Sequence, residues 1–345
     1  MSKRVFHLSH TDLDGYSCQL ITKRCFENIN FYNSNYGTEI MARVEEMIDD
    51  IKEFGEDENL FLITDLNLTM SDAKKLVNLI DESSKNIELL LLDHHKTGAD
   101  CANEFDWYHL DVKRSATKIT YDWFLERGCD ISDLGRYVDV VNAIDIWLKD
   151  RDEFELGKVF MRVVSGAREI NRMLFSQKNS EYIFYLLNES QNFIKSKDAH
   201  IRLDESIHSM KKSFFKKDKD DTLENLVSDF IVDELSHKKD ELSVYYKDFK
   251  GLLTYSIGNV SIIGNDFLVK NPEFDFFMDI NGKGNISFRA NNKVDVSKIS
   301  SEVFDGGGHA NASGGRFEGF KDSFRYKDIK NQIQERFIIG ENGAK

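Results

Sequence analysis

Through about residue 145 the chain alternates short apolar runs with longer stretches in which apolar residues recur every three to four positions. That pattern predicts strands and helices succeeding one another around a parallel sheet. The strongest strand candidates are residues 5–8, 60–64 and 89–92, with 31–33 weaker; helices are predicted over 16–27, 71–83 and 115–126. From Asp152 to about Asp220 the strand pattern disappears, and apolar spacing in 180–193 and 201–215 favours helices. Strands return over 252–257, 274–280 and 286–289, followed by a helix over 296–304, a glycine-rich segment over 306–316 and a final amphipathic helix.

The layout reads as an α/β protein: an N-terminal parallel-sheet domain over 1–150, a helical connector over 151–224, and a smaller C-terminal α/β domain over 225–345, whose glycine-rich segment makes substrate binding its expected role. The mixed-charge run 211–221 marks the expected boundary. A solvated helix end or linker is its plain reading, and a phosphate-tracking patch the bolder one. The only proline, Pro272, just precedes a predicted strand, where its missing N–H costs little.

Chemistry gathers at the strand ends. His10, Asp12 and Asp14 follow the first strand, Asp65 follows the next, and Asp93, His94 and His95 close the apolar run 87–92. Asp145 is the only charge within 140–148. In open α/β sheets, ligands bind beyond the carboxyl ends of the strands. Singly, each residue has an ordinary explanation: a helix N-cap for an aspartate, a hydrogen-bonded structural histidine, a half-exposed Asp145. Together, at matching strand ends, they want a shared partner, and metal suits them all. So many carboxylates with imidazoles exceed the needs of one catalytic zinc and suit a pair of Mn²⁺ ions, with Mg²⁺ sharing the same ligands. Two such ions form a clamp for in-line attack at phosphorus. Phosphoester or phosphoanhydride hydrolysis is the chemistry indicated.

Charge and composition narrow the substrate. A net charge of −14 over 345 residues opposes a surface that grips long duplex DNA, while leaving room for a small anionic ligand. The four cysteines, Cys18, Cys25, Cys101 and Cys129, include no C-x-x-C pair, so reduced, mostly buried thiols are expected. No signal-peptide core and no membrane-length apolar run is evident, which makes cytoplasmic location the default and a membrane partner unexpected. In the C-terminal half, Gly306, Gly307 and Gly308 would let backbone N–H groups approach an anion, with His309 and Arg289 as further phosphate donors. A tight turn and a surface arginine are the plain alternatives.

These residues, in this order, resemble the DHH phosphoesterase superfamily, in the branch with a DHH-associated C-terminal domain, and within it the nano-RNase B type of oligoribonuclease related to RecJ. The motifs are His10-Thr11-Asp12-Leu13-Asp14-Gly15, Asp65, Asp93-His94-His95, Asp145 and Gly306-Gly307-Gly308-His309 with Ala312-Ser313-Gly314-Gly315. Several relatives space the first motif H-x-x-x-D-x-D, whereas His10 here precedes Asp12 by two positions. The resemblance implies that His10 and Asp12 bind one Mn²⁺, that Asp14, His94 and Asp145 bind the other, and that Asp65 bridges them. By the same resemblance His95 contacts the scissile phosphate, Asp93 orients a neighbour, and Arg289 with Gly306–His309 holds the substrate's nucleotide end.

The expectation is a two-metal phosphodiesterase that shortens very short RNA oligonucleotides to mononucleotides. Alternatives are hydrolysis of linear or cyclic dinucleotides, of a phosphoadenosine phosphate, or of pyrophosphate, and, outside enzymes, a nucleotide-sensing binding protein. A homodimer is compatible with all of them.

Overall fold

The computed structural model describes residues 3–343, in two compact units. One holds the chain up to Ala167 together with Ser180–Met210; the other holds Arg168–Asn179 and the chain from Lys211 onward.

The first unit opens with β1 (Arg4–His10), α1 (Leu13–Cys25), β2 (Ile29–Ser34), α2 (Thr38–Phe54), β3 (Asn59–Thr64), α3 (Met70–Glu82) and β4 (Ile87–Asp93). It continues through α4 (Ala99–Glu104), β5 (Tyr108–Leu110), α5 (Ala116–Glu126), α6 (Gly135–Asp145) and α7 (Phe154–Ser165). The strands form one parallel sheet in the order β2-β1-β3-β4-β5. Every residue of β3 is buried, as expected of a central parallel strand covered on both faces. On one face Val44, Met47, Ile48 and Ile51 of α2 and Leu76 of α3 close over Phe6, Phe61, Ile63 and Leu91. Their spacing of three and four residues makes that stripe.

Register is what builds the site. Ser9 pairs with Thr64, and Thr64 with Leu92, so the next residues along, His10, Asp65 and Asp93, stand level on three adjacent strands. The sequence-based expectation of one rim is met by three neighbouring strand ends.

Then come α8 (Ser176–Gln191) and α9 (Ala199–Phe215), and the division between units falls within them. The second unit contains α10 (Leu223–His237), β6 (Ser243–Tyr246), β7 (Phe249–Tyr255), α11 (Val260–Lys270), β8 (Phe276–Ile280) and β9 (Asn285–Ala290). After these follow α12 (Val296–Phe304), β10 (Gly307–His309), β11 (Ala312–Arg316) and α13 (Tyr326–Gly343). Its mixed sheet runs β10-β11-β9-β8-β7-β6, parallel only between β7 and β8. Phe276, Phe288, Phe304 and Phe337 anchor its core.

Several elements depart from the sequence reading. The helices α2, α4, α6, α7, α10 and α11 and the strands β5 and β6 lie outside the segments the sequence predicts, and the glycine-rich segment is a two-stranded hairpin, β10 with β11. The thiol expectation is corrected for two cysteines: Cys25 and Cys129 are joined in a disulfide across a sequence separation of 104, while Cys18 and Cys101 are free and buried. Spacing alone could not show this, because the fold brings the end of α1 beside the segment following α5. Among the described residues no helix is long and apolar enough to cross a membrane.

Candidate metal centre

The first motif turns sharply from β1 into α1. Asp12 caps the helix by accepting from the Gly15 N–H (3.1 Å), and a Cβ on Gly15 would lie 2.3 Å from the His10 carbonyl oxygen. Only glycine lets α1 start that close to the strand. Ser9 fastens the turn from beneath, donating from Oγ to the Gly15 carbonyl (2.9 Å). The short His10-to-Asp12 spacing thus still folds both side chains into one cluster.

All eight N-terminal candidates meet there or border it. His10, Asp12 and Asp65 form one group; Asp14, His94 and Asp145 a second; and Asp65, His94 and His95 a third, each with ligand atoms within 4.8 Å of one another. Asp65 and His94 are each shared by two groups. His94 Nε2 lies 3.3 Å from Asp65 Oδ1, 3.6 Å from Asp145 Oδ2 and 3.7 Å from Asp14 Oδ2. His10 Nδ1 lies 2.9 Å from Asp12 Oδ2 and 3.7 Å from Asp65 Oδ2. Asp65 adopts left-handed backbone (φ +55°), which an aspartate tolerates and which turns the chain just past β3.

Electrostatically the cluster holds more carboxylate than its imidazoles can balance. Burial, then the charge of Asp14, pushes the Asp65 carboxyl well above its usual range. Burial likewise raises Asp14, with His94 working against the rise, and it carries Asp145 up to about 9 with help from Asp14. Burial alone would lower His10, but the close Asp12 and Asp65 carboxylates raise it to about 10. Asp65 Oδ2 and Asp145 Oδ2 are buried without a hydrogen-bond donor, and His10 Nδ1 is likewise buried without a hydrogen-bond partner. Orphaned carboxylate oxygens facing imidazole nitrogens at these distances are what divalent cations would satisfy.

The supporting contacts were not legible in the sequence. Both Asp14 oxygens accept backbone amides from the first turn of α5, Ala116 N–H (2.7 Å) and Thr117 N–H (2.9 Å). A helix N-terminus therefore holds this carboxylate fixed. Asp93, fully buried, accepts from the Tyr108 hydroxyl (2.6 Å) and pairs with His95 Nδ1 (2.7 Å). His95 Nε2 in turn shares a hydrogen bond with the Tyr36 hydroxyl (2.8 Å), and the Tyr36 ring lies against His10 with centroids 4.5 Å apart. Tyrosine positions carry no motif signal, so only the fold reveals this chain of four groups.

The C-terminal candidates lie in the second unit. Arg289, on β9, donates to Ser261 Oγ and to the Phe288 carbonyl, and its guanidinium has no acidic partner among the described residues. Gly306 is required by packing, since a Cβ there would lie 2.1 Å from the Gly314 carbonyl oxygen. Gly307, Gly308 and His309 are exposed on β10, the edge strand of the sheet.

Two proteins resemble almost the whole chain. It is 45% identical over 344 residues to the 3′,5′-cyclic-nucleotide phosphodiesterase of Helicobacter pylori (strain ATCC 700392 / 26695), covering 97% of this chain and 99% of that one. It is 27% identical over 324 residues to Oligoribonuclease NrnB of Bacillus subtilis (strain 168), covering 90% of this chain and 72% of that one. The crystal structure of an uncharacterized protein from Helicobacter pylori G27 matches with a TM-score of 0.90 at 45% identity, over 97% of this chain and 99% of that one. No protein-family model matches the chain.

Proposed function

Because this chain belongs to the family of the Helicobacter pylori 3′,5′-cyclic-nucleotide phosphodiesterase, we propose that it is a metal-dependent phosphodiesterase acting on small nucleotides. We place it in the DHH superfamily and take very short RNA as its main substrate, cleaved to mononucleotides, in keeping with its likeness to an oligoribonuclease. A second reading, hydrolysis of 3′,5′-cyclic nucleotides, is favoured by the more similar relative. Both substrates present a diester between ribose 3′ and 5′ oxygens, so one site serves either. The cytoplasm is the proposed location.

The observation that carries the proposal is the set of three overlapping ligand groups with buried, unsatisfied carboxylate oxygens. His10 and Asp12 would hold one cation, Asp14, His94 and Asp145 the other, and Asp65 both. Two divalent ions, Mn²⁺ in this reading, would supply the charge that neutralises a phosphate and lowers the pKa of water. Asp14 and Asp65, fixed by the α5 amides and by the turn past β3, keep the ligand spacing set before substrate arrives. His95, aligned by Asp93 on one side and Tyr36 on the other, would contact the scissile phosphate. Arg289 with Gly306, Gly307, Gly308 and His309 would hold the nucleotide end.

The test is to offer the purified chain, with Mn²⁺ or Mg²⁺, labelled RNA dinucleotides and longer oligomers, 3′,5′-cyclic nucleotides, phosphoadenosine phosphate and pyrophosphate, with Asp65→Ala as control. Mononucleotides from the oligomers, lost in Asp65→Ala, support the main reading; turnover of the cyclic nucleotide alone selects the second. Nucleotide binding without hydrolysis of anything would mean a sensor. Arg289→Ala and His309→Ala should raise KM for the oligomers, and unchanged values would remove those residues from the substrate site.

A further inference from the structure

Two consecutive helices of the first unit close with the same backbone motif, and one of them carries an unexpected residue. At the end of α5, Gly128 N–H donates to the Leu125 carbonyl (3.0 Å) and Cys129 N–H to the Phe124 carbonyl (3.0 Å), with Gly128 left-handed at φ +83°. At the end of α6, Trp147 N–H donates to the Ile144 carbonyl (3.3 Å) and Leu148 N–H to the Ala143 carbonyl (2.7 Å), with Trp147 at φ +57°. This paired closure favours glycine at the left-handed position. A bulky aromatic there is a strained exception.

Packing does not account for the exception. Trp147 is 56% exposed and Leu148, which would ordinarily seal such a turn with an apolar contact, is 37% exposed. The indole meets Phe154 only edge-on, with centroids 5.1 Å apart at 88°, and Lys149 Nζ lies 6.0 Å from the ring centroid. The other tryptophans, Trp107 and Trp123, are partly buried. Glycine would make the turn without strain, so the fold has no need of an indole at this position. What sets the position apart is its place: two residues beyond Asp145, a member of the metal cluster.

We propose that Trp147 is a stacking platform for a nucleobase of the substrate, with Lys149 beside it favouring the adjoining phosphate. The inference rests on the phosphodiesterase reading above and adds the recognition of a base. An indole face stacks on any base, which gives affinity without sequence preference. The strained turn at the end of α6 fixes the ring in register with Asp145, because ring and ligand share one rigid helix terminus.

The experiment compares the full-length chain with Trp147→Gly and Trp147→Phe, on an RNA dinucleotide and on the same ribose–phosphate–ribose diester lacking both bases. Trp147→Gly should melt at the same or a higher temperature, since glycine relieves the turn, yet raise the dinucleotide KM roughly ten-fold. KM for the base-free diester should not move, and Trp147→Phe should retain most of the affinity. A slowly cleaved phosphorothioate dinucleotide should quench tryptophan fluorescence of the parent chain and not of Trp147→Phe. An unchanged dinucleotide KM in Trp147→Gly, or an equal rise on the base-free diester, overturns the platform and leaves the phosphodiesterase standing. A parent chain that cleaves neither diester overturns the phosphodiesterase reading and the platform with it.

Discussion

The Tyr36 hydroxyl lies 2.8 Å from His95 Nε2, on the side of the imidazole opposite the Asp93 carboxylate. Burial and the nearby Asp65 charge hold the phenol well above its usual range, so Tyr36 keeps its proton at any working pH. It thereby fixes the ring that Asp93 holds from behind. Tyr36→Phe should lower kcat roughly ten-fold, the equivalent of a hydrogen bond contributing about 1.5 kcal/mol, with little change in melting temperature. Steady-state kinetics alongside a thermal melt checks this. An unaltered kcat would show that His95 needs no such partner.

At the inner end of the same chain of groups, Gly98 touches Tyr108. A Cβ at Gly98 would lie 1.8 Å from the Tyr108 hydroxyl oxygen, which donates to Asp93. Gly98→Ala should therefore push Tyr108 off Asp93, leave a buried carboxylate oxygen short of a donor, and cost about 1–3 kcal/mol of stability as well as activity. Tyr108→Phe should reproduce the loss without the steric clash. If Gly98→Ala melts like the parent chain, the contact is softer than drawn.

The rim was legible because apolar runs end on charge: nothing but a strand end explains Leu89–Leu92 followed by Asp93, His94 and His95. Parallel pairing then brings those ends level without any further instruction. The groups that make the rim precise were hidden for a physical reason. Ala116 and Thr117 act through backbone amides, Tyr36 and Tyr108 through hydroxyls, and none of these leaves a charge pattern. The glycine-rich segment misled in the other direction, since glycine permits both a loop and a closely packed edge strand, and Gly306 against Gly314 chose the strand. In α2 the buried positions follow a helical stripe, but its long acidic face dilutes that signal in the sequence.

The crowded carboxylates make stability depend on pH in a definite sense. Asp145 ionises at about 9 in the folded chain instead of near 3.8, so between those values the folded state holds a proton the unfolded state has released. Stability falls as pH rises through that interval, and the raised Asp14 and Asp65 act in the same direction. His10, raised from 6.5 to about 10, contributes stability that is complete below 6.5 and lost as pH climbs through 10. His7, buried and lowered to about 3, opposes this only on the acid side, where stability drops as pH falls from 6.5 toward 3. Melting in a chelator should thus occur at lower temperature near pH 9 than near pH 6 (both values approximate). Added Mn²⁺ should flatten the dependence and raise the melting temperature most at the alkaline end, since cations bind the deprotonated ligands. A chelated protein that melts higher at alkaline pH would contradict this.

Ligand sharing sets the binding stoichiometry. Asp145 belongs to one group only, whereas Asp65 belongs to two. Calorimetric titration with Mn²⁺ should give two ions per chain for the parent protein and about one for Asp145→Asn, which keeps His10, Asp12 and Asp65 intact. Asp65→Asn should weaken both sites together. Equal affinities for the parent chain and Asp65→Asn would mean that Asp65 does not bridge.

The Cys25–Cys129 bond ties the far ends of two helices whose near ends already meet where Asp14 receives the amides of Ala116 and Thr117. With it closed, the segment from β2 to α5 is a covalent ring, and the unfolded chain loses conformational freedom equivalent to about 4.7 kcal/mol for a loop of this size. A reductant would accordingly act on endurance, not on chemistry. Opening the bond would let the denatured chain expand while the Asp14 contacts to Ala116 and Thr117 still join the near ends, so the ambient thiol balance would set how long the protein lasts and not how fast each molecule works.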